Sequence, residues 1–85
     1  MPLGVRVSLY YYDACPFCMI VRQAIETVPL TVELNNILEN TKYRNELFEG
    51  TGKTQVPCLK IEDSGHTRWM FESADIIAYL QSYGV

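Results

Sequence analysis

The sequence predicts an α/β fold: a four-stranded mixed sheet with helices on both faces. The order is strand, helix, strand, helix, strand, strand, helix. Three observations carry this. Alternating or β-branched stretches recur at Val5–Tyr10, Leu30–Leu34, Gln55–Ile61 and His66–Phe71. Apolar residues at helical spacing fill the intervals after the first and second strands and the C-terminal stretch. Last, Asp63-Ser64-Gly65 reads as a tight hairpin turn, whereas the first two strands are joined through a helix. A short strand–helix–strand unit implies a parallel pair with a right-handed crossover.

Taken in order, Val5 to Tyr10 is the first strand, and Tyr11 to Ala14 is a short loop. Three consecutive tyrosines, Tyr10 to Tyr12, cannot all face one side of a strand, so they divide between packing and the rim of a site. Cys15-Pro16-Phe17-Cys18 follows. Two cysteines three apart can bind a metal or cycle between dithiol and disulfide. The residues that follow decide between these: positions 20, 21, 24, 25 and 28 form an apolar stripe, and Pro16 suits a first helical turn. Cys15 therefore sits at a helix mouth, where unpaired N–H groups favour a thiolate. Cys18 lies one turn further in, within reach of a mixed disulfide on Cys15.

The first helix is expected from Pro16 to about Thr27, stopped by Pro29. Asn36 to Asn40 reads as a loop, and Asn40 or Thr41 as the cap of a second helix. That helix has Tyr43, Leu47 and Phe48 on its apolar face, and Gly50 at its end. Gly50-Thr51-Gly52-Lys53-Thr54 lacks the glycine–lysine spacing of a phosphate-binding loop. The third strand starts with Gln55-Val56-Pro57, proline being tolerated at a strand's start. Cys58 alternates with Leu59, so it faces away from it, under the second helix. Ser73 is expected to cap the last helix, whose apolar face is Ile76, Ile77, Leu80 and Tyr83, with Gly84 past its end.

Whole-chain properties bound the function. Eighty-five residues are expected to form one domain, residues 1–85, and 48% apolar residues suffice for a compact core. A net charge of −3 without a basic cluster argues against a nucleic-acid partner. No apolar run approaches membrane-span length, and the first residues lack the pattern of a signal peptide. Three cysteines make a poor secreted framework, so a cytoplasmic protein and a catalytic disulfide are the expectation.

The blocks CPFC with Arg22 four residues on, GKTQVPCL, and WMFESADIIAYL resemble a glutaredoxin. The last block is similar to the glutathione-binding N-terminal domain of glutathione S-transferases. Together they cover almost the whole chain. The resemblance implies a thioredoxin fold, βαβαββα, and a glutathione-dependent dithiol–disulfide oxidoreductase acting on protein disulfides and glutathione mixed disulfides. Cys15 would be the attacking thiol and Cys18 the resolving one. Pro57 would be a cis-proline facing the cysteine pair, with Val56 offering backbone hydrogen bonds to glutathione. Glu72 and Ser73 would hold its γ-glutamyl end, and Phe17 and Gln55 would complete the contacts. Many glutaredoxins carry Gly-Gly and an aspartate pair where this chain has Phe71-Glu72-Ser73-Ala74-Asp75. Glutathione would be a co-substrate, with no tightly bound cofactor, no metal and no membrane partner, and the protein would act as a monomer. Arg22 is either solvated or a source of positive potential for the thiolate or for glutathione's carboxylates.

Three rivals stand beside this reading. A structural zinc could draw on Cys15, Cys18, Cys58 and His66, though the second half lacks a close ligand pair. An iron–sulfur cluster could bridge two chains through Cys15 and glutathione. A non-catalytic glutathione-binding or transferase-like domain would have no use for Cys18.

Overall fold

The computed structural model describes residues 5–28 and 31–82. Its elements are β1 (Val5–Tyr11), α1 (Pro16–Ile25), β2 (Val32–Asn36), α2 (Thr41–Thr51), β3 (Cys58–Asp63), β4 (His66–Met70) and α3 (Ser73–Gln81). The sheet order is β2-β1-β3-β4. β1 and β2 are parallel, while β1–β3 and β3–β4 are antiparallel. The predicted βαβαββα fold with a mixed sheet is therefore present. The expectations on Pro29, Leu30, Tyr83 and Gly84 lie outside the described residues.

Strand alternation sorts the core onto two faces. Val7, Leu9 and Tyr11 of β1 and Leu59 and Ile61 of β3 pack against Cys18 and Val21 of α1 and Ile76 and Leu80 of α3. The intervening residues Tyr10 and Cys58 face the other way and pack with Leu47 of α2 and with Ile37, which follows β2. Leu9, Leu59, Ile76 and Leu80 are fully buried, and each such side chain contributes about 1.5–3 kcal/mol relative to exposure. Among the tyrosines, Tyr10 belongs to the α2 face, Tyr11 to the α1/α3 face, and half-buried Tyr12 touches both clusters.

Several boundaries differ from expectation, each for a local reason. β3 begins at Cys58, paired with Tyr10, not at Gln55. Pro57 has no N–H to give the ladder, so residues 55–57 run as a loop outside it. Val56–Pro57 is cis. Asn36 belongs to β2 through its pairing with Tyr11. α1 ends at Ile25, with Thr27 and Val28 bonding back to Ala24 and Ile25 in a closing turn. On α1, Ile20 is 49% exposed, because the buried line runs through Cys18 and Val21.

α2 is capped by Asn40, whose side chain accepts from the Lys42 N–H at 2.9 Å. It passes through Gly50 and ends at Gly52, which takes the left-handed conformation (φ 76°) that a C-terminal cap requires. A Cβ at Gly50 would overlap the Trp69 ring, so that glycine is there for close approach, not for termination. Phe48 is 57% exposed and is not part of the packed face. β4 stops at Met70, one residue short of Phe71. Ser73 is the first residue of α3 and does not cap it. Glu72 takes the cap position with extended backbone, and its side chain makes no capping bond.

Candidate functional site

The dithiol stands where β1 hands over to α1. Cys15 is the N-cap of α1, with extended backbone, and its Sγ accepts the Cys18 N–H at 3.4 Å. Pro16 at the first helical position leaves no competing N–H there. The sulfur thus occupies the place where helices usually put an oxygen acceptor. Cys15 is 5% exposed and Cys18 is fully buried. Burial, helped by the hydrogen bond with Cys15, pushes the Cys18 thiol up to about 12. Cys18 therefore keeps its proton at neutral pH.

The rest of the predicted site converges beside this helix start. Phe17, Gln55, Val56, Pro57, Phe71, Glu72 and Ser73 line a cavity of about 190 Å³. Those seven come from three separated segments: the dithiol motif, the loop before β3 and the start of α3. All six residues expected to meet glutathione are among them. The motif contributes Phe17 rather than either sulfur, and Val56 packs against the core cluster that includes Cys15 and Cys18. The volume is below the roughly 300–1,000 Å³ that encloses a drug-sized ligand, so the cavity would enclose only part of a ligand of that size. At the α3 end, the first-turn N–H groups meet no side-chain cap from Glu72, which suits a carboxylate.

Two residues beside the site were missed in the sequence. The alternation predicts Phe71 inside the fourth strand, yet it follows β4 and forms part of the cavity wall. Lys53 lies over its ring, 5.5 Å from the centroid, as a cation at the rim. The signal available was the position of Phe71 directly before Glu72-Ser73.

The zinc arrangement is not assembled. Cys58 is buried on the α2 face while Cys15 and Cys18 are on the other, and His66 is exposed beside the far hairpin. Among the described residues no helix is long and apolar enough to cross a membrane. A larger groove of about 570 Å³ lies on the α2 side. Within it Arg6 pairs with Glu33 at 2.8 Å, Lys60 with Glu62 at 3.7 Å, and the Tyr10 hydroxyl donates to Glu46 at 3.1 Å. Neither sulfur of the motif lines it.

A reduced dithiol at a helix mouth, on a βαβαββα sheet and beside a loop led by a cis proline, defines a thioredoxin-fold domain. A solved thioredoxin-like protein, 22% identical, shares the fold with a TM-score of 0.68 over 92% of this chain and 97% of its own. The chain belongs to the family described as the glutathione S-transferase N-terminal domain, whose profile matches residues 9–83. It is 35% identical over 74 residues to glutaredoxin 2 of Escherichia coli, covering 87% of this chain and 32% of that protein. A glutathione transferase homologue from Drosophila mojavensis, solved with bound glutathione, is 28% identical with a TM-score of 0.70. The match covers 94% of this chain and 36% of that one. The chain thus spans about a third of the length of these two relatives.

Proposed function

We propose that this domain is a glutathione-dependent dithiol–disulfide oxidoreductase that reduces protein disulfides and glutathione mixed disulfides. The observation that carries the reading is the N-cap position of Cys15, whose Sγ accepts the backbone N–H of the buried Cys18. The likeness to glutaredoxin 2 supports it. In the first step the Cys15 thiolate attacks one sulfur of the target disulfide. A new S–S bond joins Cys15 to that sulfur, and the other sulfur leaves as a thiolate that takes up a proton. Cys18 then loses its proton and attacks the Cys15 sulfur, releasing the second target thiol and leaving a Cys15–Cys18 disulfide. Two glutathiones return that disulfide to the dithiol and leave as oxidised glutathione. On a glutathione mixed disulfide, a second glutathione can take the place of Cys18.

Glutathione would lie with its γ-glutamyl end in the cavity, its carboxylate at the start of α3 by Ser73, and its ammonium at Glu72. Its cysteinyl backbone would run beside Val56 and Pro57, with Phe17 and Gln55 as walls. The setting implied is a reducing one, the cytoplasm, acting as a monomer on disulfide-bearing or glutathionylated proteins.

The family and the glutathione-bound neighbour favour a second reading, glutathione transfer to an electrophile. The test is a hydroxyethyl disulfide reduction assay beside a transferase assay, on the wild type and Cys15→Ser. Disulfide reduction that falls to background in Cys15→Ser supports the oxidoreductase. Transfer to an electrophile that survives Cys15→Ser, without disulfide reduction in the wild type, would establish the second reading instead.

A further inference from the structure

We propose that Asp13 and Arg22 act as one positioning unit: the Asp13 carboxylate ties Arg22 of α1 to Asn36 at the end of β2 and so fixes the loop that presents Cys15. This rests on the oxidoreductase reading. Arg22 Nη1 meets Asp13 Oδ1 at 3.0 Å, and its guanidinium lies on the Tyr11 ring, 4.7 Å from the centroid. A carboxylate of glutathione would have to displace Asp13 to reach that face of the cation. The other carboxylate oxygen, Oδ2, accepts from Asn36 Nδ2 at 3.5 Å.

Asn36 is itself buried and held: its Oδ1 accepts from the Leu38 and Glu39 N–H groups at 2.9 and 3.2 Å. Its neighbour Ile37 donates its backbone N–H to the Tyr11 carbonyl at 2.9 Å. Asp13 therefore links three segments: its own loop, α1 beyond Cys18, and the end of β2. The staple spans the dithiol, from two residues before Cys15 to four after Cys18.

Both partners are partly open to water, with 71% of the Asp13 and 39% of the Arg22 side chain exposed. Such a pair contributes little to global stability. Its effect belongs to the attacking sulfur, because thiol–disulfide exchange needs the incoming sulfur in line and small displacements are costly.

The experiment is a double-mutant cycle in the full chain: Asp13→Ala, Arg22→Ala, both together, and Arg22→Lys. Turnover of a glutathione mixed disulfide is read as kcat and glutathione KM at one pH. The alkylation rate of Cys15 by iodoacetamide is read in a Cys18→Ser background. Each single alanine should lower kcat about five-fold, with KM nearly unchanged and the double no worse than the worse single. Arg22→Lys, which can still reach Asp13, should recover part of the loss. Losses that multiply in the double, or an Arg22→Ala effect confined to KM, overturn the proposal, as do single variants that behave as wild type. If the wild type reduces no disulfide, the oxidoreductase reading fails. The alkylation series then still decides the pair: matched shifts in the singles and the double sustain it, and multiplying or absent shifts reject it.

Discussion

Cys18 and Cys58 lie on opposite faces of the same sheet, and burial treats them alike. Both are fully buried, and burial is the first cause pushing each thiol up to about 12. What separates them is company. Cys18 donates its backbone N–H to the Cys15 sulfur and has Arg22 nearby. Cys58 sits among Tyr10, Ile37 and Leu47, on the sheet face opposite Cys18. A buried thiol is inert by default, and on the proposed oxidoreductase reading adjacency to an N-cap sulfur would give Cys18 a reaction to take part in.

The sharpest way to break this contrast is Cys18→Ser. The variant should lose protein-disulfide reduction to the assay background while reducing glutathione mixed disulfides at a comparable rate. The reason is that a second glutathione resolves the one kind of intermediate, whereas the other needs an internal thiol. Side-by-side turnover on the two substrates measures it. Equal loss on both would mean that Cys18 serves the structure of the site, and that its resemblance to Cys58 runs deeper than its position suggests.

Next in size is the double change Glu72→Ala with Ser73→Ala. These residues begin α3, which packs on the Cys18 face. Glutathione KM should rise about ten-fold, since a charge-assisted contact contributes roughly 1.5–3 kcal/mol and this one is open to water. Alkylation of Cys15 should be unaffected. Normal glutathione dependence in the double variant would remove the γ-glutamyl end from the start of α3.

Much of this contrast was legible in the sequence. The period-two alternation of Cys58 against Leu59 puts Cys58 on the face away from Leu59, under the second helix. Pro16 and the apolar stripe placed Cys15 at a helix mouth. Three-dimensional accidents were not legible. Ladder pairing with Tyr10, not strand propensity, decides that β3 starts at Cys58. The backbone of Glu72 decides that the cap is there and not at Ser73. Gly50 looked like a terminator because glycine usually is one, and its actual neighbour, Trp69, arrives from a strand 19 positions away in sequence. The bridge from Asp13 to Asn36 likewise appears only once β1 and β2 are side by side.

The smallest expected effect is that of Cys58→Ala, and it tests the other side of the comparison. Turnover should stay near wild type on both kinds of disulfide, because Cys58 is on the sheet face opposite Cys15 and Cys18. Stability should fall by about 1 kcal/mol, the cost of deleting one buried heavy atom from a packed cluster. Its pH dependence is more telling. The thiol's ordinary value is 9.0, and burial raises it to about 12 in the folded protein. Above about pH 9 the unfolded chain gives up this proton while the folded chain keeps it, so folding loses stability as pH rises toward 12. Below the ordinary value the thiol's contribution is present in full. Cys18 is shifted the same way and adds to the same alkaline loss. Urea unfolding at about pH 7 and about pH 10 should therefore show a shallower alkaline decline in Cys58→Ala than in wild type, with the remaining slope carried partly by Cys18. An unchanged slope would mean that Cys58 ionises as readily folded as unfolded, and would overturn the upward shift assigned to its burial. A variant that keeps its stability but loses turnover would place Cys58 in the chemistry, and the two faces would then have to be treated as one site.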